Sequence, residues 1–278
     1  MKIALTGATG FIGRHVLAGL LDHEVEILAI TRKLPREPET NKRIRYVEMD
    51  IAHPTPNCFE HLGRPDILIH LAWKGLPNYN SPHHYEIELP LQYQFLKSMV
   101  EAGLPSLLVT GTCFEYGMQS GPLAANMPTK PNNPYGFAKD SLRKQLDFLN
   151  HRIPFNFIWA RLFYMFGEGQ PDSSLYSQLK NAVSKKDKFF NMSGGEQLRD
   201  YLKVEEVAQN IIQLALSPRN MGAVNICSGI PISIRKLVEG WIKTHAWEIE
   251  PNLGFFPYPD YEPMAFWGER EILNAGPR

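Results

Sequence analysis

The chain has 278 residues, enough for one large domain or one domain carrying a small lobe. Hydrophobic residues are 44% and charged residues 21%, and 29 basic side chains balance 29 acidic ones, which allows a sizeable core and excludes the strongly basic face of a nucleic-acid binder. Cys58, Cys113 and Cys227 fit neither a disulfide framework nor a metal site, no run is long enough to span a membrane, and the opening Met-Lys-Ile-Ala-Leu-Thr-Gly is no signal peptide, so a cytoplasmic protein is expected.

In chain order, Lys2 to Thr6 reads as a buried strand, and Phe11 to Leu21 has helical periodicity. Val25 to Thr31 and Arg45 to Met49 are further strands. Asp66 to Ala72 is a continuous apolar run, as suits a parallel strand covered on both faces. Glu86 to Ala102 predicts a helix stopped by Gly103. Ser106 to Thr110 is a strand, Pro134 opens a helix, and Phe155 to Arg161 is another strand. Strands alternating with helices predict an α/β fold, a Rossmann-type doubly wound parallel sheet. Beyond it, Ser173 to Lys186, a stretch within Asp200 to Leu216, and Ile232 to Trp247 predict helices, with a short strand at Val224 to Cys227. The tail from Pro251 to Trp267 is rich in Pro, Tyr and Phe. Residues 1–163 with about 199–228 are assigned to the dinucleotide-binding domain, and about 164–198 with 229–278 to a small substrate-binding lobe. Asn191-Met192-Ser193 is read as a chance glycosylation sequon.

Gly7-Ala8-Thr9-Gly10-Phe11-Ile12-Gly13 lies between the first strand and the first helix. Glycines three apart allow a tight turn and close backbone approach, and the helix start offers unpaired N–H groups to a pyrophosphate. The second strand ends in Ile30-Thr31-Arg32-Lys33, without the acid that holds an NAD ribose 2′-hydroxyl. Arg32 and Lys33 can pair instead with a 2′-phosphate, which favours NADP over NAD. Asp50, in Met49-Asp50-Ile51, is a candidate for the adenine edge.

Tyr135 and Lys139 are four apart, on one face of a helix. A phenol is a poor acid or base near neutrality, and a neighbouring ammonium stabilises its phenolate. Thr112, at a strand end, offers a hydroxyl to the substrate oxygen.

The motifs GATGFIG (7–13), HLA (70–72), TGTCFEYG (110–117), PYGFAK (134–139) and ARLFYMFGEGQ (160–170) resemble the extended short-chain dehydrogenase/reductases, within them the nucleotide-sugar epimerase/dehydratase/reductase group. The resemblance continues through QLRDYLKVEEVA (197–208) and NICSGIPISIRKL (225–237). It implies a nicotinamide cofactor held by the glycine loop (Gly7, Thr9, Gly10, Phe11, Ile12, Gly13), Arg32, Asp50, Ile51, Leu71 and Ala72, with Tyr135 and Lys139 at its reactive end. It implies Tyr135 as acid/base, Lys139 as partner and Thr112 as the hydroxyl. Arg199 would grip a nucleotide diphosphate, and Tyr164 would fall where substrate and nicotinamide meet. A homodimer through roughly Glu86 to Ala102 and Tyr135 to Asn150 is also implied.

The dehydratases of that group carry Asp-Glu after the catalytic Thr; here Cys113-Phe114 stands there, which argues against dehydration. Glu115, read as strand, would face away from Phe114. Cys113 is read as a small packed residue, with a second acid in an epimerase as its alternative. The motif wording resembles reductases of dTDP-linked 4-keto-6-deoxyhexoses, so hydride delivery to C4 of such a sugar is expected. A 4-epimerase with retained NAD and a non-catalytic dinucleotide sensor are the alternatives. Glu88 stands where the group usually has Asn, aromatics at 255–258 replace a second arginine, and His83 and His84 are read as solvated loop residues.

Overall fold

The computed structural model describes residues 1–36, 41–217 and 219–270. Strand β1 (Lys2–Thr6) leads into α1 (Phe11–Leu20), then β2 (Glu26–Thr31) and β3 (Ile44–Glu48). The short α2 (Cys58–His61) precedes β4 (Ile67–His70), and a π-helical turn at His84–Glu88 runs into α3 (Leu89–Glu101) and β5 (Ser106–Thr112). A 3-10 turn at Cys113–Tyr116 and β6 (Gly121–Leu123) lead to α4 (Pro134–Arg152) and β7 (Asn156–Leu162). Next come β8 (Tyr164–Phe166), α5 (Leu175–Ser184), β9 (Phe189–Asn191), β10 (Leu198–Lys203) and α6 (Val204–Ala215). The described chain ends with β11 (Gly222–Ile226), β12 (Pro231–Ser233), α7 (Ile234–His245), β13 (Glu250–Asn252) and β14 (Phe266–Gly268).

Seven strands form one parallel sheet in the order β11-β7-β5-β4-β1-β2-β3, the expected Rossmann-type α/β architecture. The central strands β4 and β5 are buried throughout, as apolar runs covered by helices on both faces must be. On one face Val16 and Leu20 of α1 and Val207 and Ile211 of α6 pack against Ile3, Leu5, Ile69 and Ile158. On the other, Phe95 and Met99 of α3 and Leu142 and Leu146 of α4 pack against Leu68, Leu107 and Trp159. Each fully buried aliphatic side chain contributes about 1.5–3 kcal/mol by leaving water, so Ile211→Asp would undo the α6 stripe.

The strand order reverses between β1 and β4, where open α/β sheets make room for ligands beyond the strand ends. A three-stranded sheet, β12-β10-β8, stands apart from the main sheet. Its register sets Tyr201 of β10 beside Tyr164 of β8. A separate small core of Leu179, Phe190, Val238, Trp241 and Ile249 gathers α5, α7, β9 and β13. Residues 271–278, which the sequence assigns to the lobe, lie outside the described residues.

All seven expected strands form, with ends shifted by two residues at most. The expected helix from Glu86 starts at Leu89, the preceding turn being π-helical. The extended reading of Glu115 is corrected. Thr112 accepts the Phe114 N–H at 3.3 Å and Glu115 accepts the Thr112 N–H at 2.9 Å, a reciprocal cap that folds Cys113–Tyr116 into a turn.

Candidate active site

The turn after β1 is shaped by its glycines. Gly7 has φ +71°, and a Cβ there would lie 3.0 Å from the backbone nitrogen of Ala72. A Cβ on Gly13 would run into the Gly7 carbonyl. The Gly7 backbone therefore lies against Leu71–Ala72, and α1 starts close beneath the turn. A cavity of about 350 Å³ opens there, lined by Gly7, Thr9, Gly10, Arg32, Asp50, Ile51, Leu71, Ala72 and Trp73 among others. Phe11, Ile12 and Gly13 do not line it: Phe11 stands edge-on to His15, Ile12 packs on the core, and Gly13 supports the turn. Thr31 also lines the cavity, and its buried hydroxyl has no hydrogen-bond partner among the described residues. Close-lying backbone and an unanswered hydroxyl fit a dinucleotide. The Asp50 carboxyl is held below its ordinary pKa, first by the Ala52 N–H it accepts at 3.1 Å and also by Lys74.

A buried polar chain underlies this cavity. The Thr6 hydroxyl, which accepts the Leu71 and Ala72 N–H groups, lies 2.9 Å from His70 Nδ1, and His70 Nε2 lies 2.7 Å from Gln92 Oε1. Gln92 donates in turn to Glu88, which also accepts the Lys74 N–H. Burial pushes His70 down to about 3, so the ring is neutral. Glu88 thus ties the turn after β4 to α3.

Asn133 caps α4 through the Gly136 N–H, and Pro134 takes the first helical position. A Cβ at Gly136 would lie 2.6 Å from the Phe114 carbonyl oxygen, so glycine between Tyr135 and Lys139 lets the helix meet the Cys113–Tyr116 turn. Tyr135 and Lys139 are both buried on the face of α4 turned to the sheet. Lys139 Nζ donates to the Thr110 carbonyl at 2.8 Å and lies 4.1 Å from the Trp73 ring centroid and 6.0 Å from that of Tyr135. Burial brings Lys139 down to about 7, against the pull of Glu115 and Glu88. Burial raises the Tyr135 phenol, and Tyr79, Glu115 and Cys113 add to the rise. The Thr112 hydroxyl accepts a backbone N–H, leaving its own O–H free to donate.

The solvated reading of His84 is wrong. The ring is fully buried, with Nδ1 accepting the Trp73 indole N–H at 3.0 Å and Nε2 2.8 Å from the Asn78 carbonyl. It packs 5.2 Å from the Tyr135 ring. His83 is not without a partner either: its Nε2 lies 3.3 Å from Glu88. Cys113 is a buried thiol raised by desolvation, packed with Phe163 and Phe266. Glu115 is fully buried and bonded to Arg161 at 2.6 Å and to the Trp159 indole. The sequence reading missed this role, although Thr112-x-x-Glu115 is itself a capping-box pattern. It also missed Trp73 and Tyr79, which have no local signal.

A second cavity of about 350 Å³ is lined by Tyr79, Phe114, Tyr164, Tyr176, Gln197, Arg199, Tyr201, Trp241 and Glu262 among others. The Tyr135 ring lies 6.0 Å from Trp73 of the first cavity, and 5.6 Å from Tyr79 and 6.5 Å from Phe114 of the second. It stands between the two. Arg199 is buried, donating to Glu262 at 2.9 Å and to the carbonyls of Leu198 and Met264. Tyr164 donates to the same Glu262. Arg199 and Tyr164, which the resemblance assigns to the diphosphate and to the meeting point of substrate and nicotinamide, both line this cavity and share one acid, Glu262, that sequence reasoning did not single out. Among the described residues, no group of three or more His, Cys, Asp or Glu is placed to hold a metal, and no helix is long and apolar enough to cross a membrane.

The chain is 33% identical to the dTDP-6-deoxy-L-talose 4-dehydrogenase (NAD(+)) of Aggregatibacter actinomycetemcomitans, over 97% of this chain and 100% of that protein. It is 27% identical to a GDP-6-deoxy-D-talose 4-dehydrogenase of the same organism, over 99% of this chain and 91% of that one. In fold it is similar to a UDP-N-acetylglucosamine 4-epimerase from Methanobrevibacter ruminantium M1, with a TM-score of 0.85 and 20% identity over 98% of this chain and 90% of that one. The model of the NAD dependent epimerase/dehydratase family matches residues 3–227, and the chain belongs to that family.

Proposed function

We propose that this chain is an NAD(P)-dependent oxidoreductase acting at C4 of a nucleotide-linked 6-deoxyhexose, reducing the 4-keto form of a dTDP-linked sugar. The observation that carries the reading is the position of Tyr135 between the two cavities, with Lys139 beside it. The nicotinamide, when bound, supplies or accepts the hydride. Tyr135 protonates the oxygen as it becomes an alkoxide, a role suited to a phenol that burial keeps protonated. The Lys139 ammonium stabilises the phenolate left behind. Thr112 donates its O–H to the same oxygen, and Arg199 serves the diphosphate.

The surroundings support a simple redox step. Glu115 is tied to Arg161, and the raised Cys113 thiol is a poor acid, so neither suits the proton transfers of an elimination. The substrate named for the 33% identical relative supports both the nucleotide and the 6-deoxyhexose. Arg32 at the cavity wall supports acceptance of NADP, and that relative's name supports NAD.

The test is incubation with a dTDP-linked 4-keto-6-deoxyhexose and NADPH or NADH. Stoichiometric cofactor oxidation is expected, and Tyr135→Phe should lower the rate about 10²–10⁴-fold while leaving cofactor binding intact. No oxidation with dTDP-, GDP- or CDP-linked substrates refutes the reading. Conversion without net cofactor use would make the protein an epimerase instead.

A further inference from the structure

The second cavity has an unusual charge inventory for a site that takes a diphosphate. Among its lining residues Arg199 is the one cation and Glu262 the one anion, and they are bonded to each other at 2.9 Å with both side chains largely buried. Arg199 also lies with its guanidinium carbon 4.5 Å from the Phe266 ring centroid, and its Nη1 donates to the Leu198 and Met264 carbonyls. A diphosphate approaching this wall meets no net positive charge. The Nη2 donor given to the Glu262 carboxylate is not available to a phosphate, and the carboxylate's charge repels one.

Glu262 is carried by residues 253–265, between β13 and β14, a stretch without strand or helix apart from a single bridge from Ala265 to Leu198. It is fastened at both ends. The Phe255 N–H donates to the Met192 carbonyl at 3.0 Å, and the Leu198 N–H donates to the Met264 carbonyl at 2.8 Å. Between these points the Tyr261 carbonyl accepts the Asn132 side-chain N–H at 3.2 Å, while the Phe256, Tyr258 and Tyr261 side chains are exposed. A loop held at a few points, without strand or helix between them, can shift locally without unfolding the sheet. Its side-chain anchors in the cleft are the two bonds of Glu262, to Arg199 and to Tyr164.

We propose that Glu262 is a built-in counter-anion of the substrate cleft, holding Arg199 and Tyr164 in place until a nucleoside diphosphate displaces its carboxylate. The proposal rests on the reading of Arg199 as the diphosphate-binding residue. In the free protein the carboxylate spares Arg199 the cost of an uncompensated buried charge. A ligand that brings a diphosphate replaces one anion with a more highly charged one. A neutral sugar lacks the charge to do so, which makes the Glu262 contact a filter for nucleotide-linked substrates.

The experiment is calorimetric titration of dTDP, UDP and GDP into the cofactor-saturated protein, wild type against Glu262→Gln, with thermal unfolding to confirm that both are folded. A resident anion occupying the site nine times in ten weakens apparent affinity about tenfold, so the Gln variant is expected to bind its preferred diphosphate about tenfold more tightly. Arg199→Met should bind poorly whether or not Glu262 is present. If the Gln variant does not fold, Glu262→Asp, which draws the carboxylate back by one methylene, should shift affinity in the same direction and by less. Equal or weaker binding by the Gln or Asp variant, with wild type binding normally, overturns the proposal and leaves the diphosphate reading standing. If neither wild type nor variant binds any of the three nucleotides, both fall together.

Discussion

The indole of Trp73 lies against the Lys139 ammonium, 4.1 Å from ring centroid to Nζ, and is itself fixed by the bond from its N–H to His84. A ring face near a desolvated cation offsets part of the cost of burying it, by about 0.5–2 kcal/mol. Trp73 therefore acts on Tyr135 through Lys139. Trp73→Leu removes the face and should lower kcat roughly fivefold, the equivalent of about 1 kcal/mol. Trp73→Phe keeps a ring and should retain most of the rate. Steady-state kinetics with the 4-keto sugar decide it, and equal rates for the two variants would show that the ring face has no such effect.

Lys139 also ties stability to pH. Its folded-state pKa is about 7 against an ordinary 10.5, and burial is the main cause. Between those values the unfolded chain holds a proton that the folded chain lacks, so stability rises with pH across the window. For one such group the slope approaches 1.4 kcal/mol per pH unit, a rough upper limit. Below pH 7 the burial cost of the ammonium is carried in full. Lys139→Met should lose activity and should flatten the rise of Tm between pH 7 and pH 10 in the cofactor-free protein. The comparison is between two curves, so titrations common to both proteins cancel. Parallel curves would mean that Lys139 is not desolvated as its burial implies.

The sheet was legible because most of its strands are short apolar runs, and because the glycine loop sits at the end of the first one. Tyr135 and Lys139 were legible for a similar reason: helical spacing alone sets them on one face. What escaped is what depends on distant partners. Glu115 reads as an acid beside a candidate catalytic Thr, and only its contact with Arg161, 46 residues on, makes it an internal ion pair. His84 lies in a Pro- and Gly-rich stretch that suggests solvent, yet the Trp73 N–H and the Asn78 carbonyl take both of its nitrogens. Glu262 meets Arg199 across 63 residues, and no spacing rule reaches that far. The small sheets were missed because their shortest strands have three residues, too few to show a period.

Cofactor choice turns on Arg32. It lies just past β2 and lines the first cavity, at the place where an NAD-specific fold commonly carries an acid. The neighbouring wall holds Asp50 and Lys74, whose charged groups are 3.7 Å apart, so the lysine already has an anion and Arg32 is the better placed to meet a 2′-phosphate. A charge-assisted hydrogen bond contributes about 1.5–3 kcal/mol, so Arg32→Ala should weaken NADPH binding roughly tenfold or more. NADH, which has a hydroxyl there, should bind the variant nearly as well as the wild type. Nicotinamide fluorescence titrations of both cofactors against both proteins measure the four constants. A loss shared equally by NADH and NADPH would place Arg32 on the pyrophosphate or outside the site. No loss with either would make it a solvated charge at the cavity mouth, and the preference would then have to come from another residue of that wall.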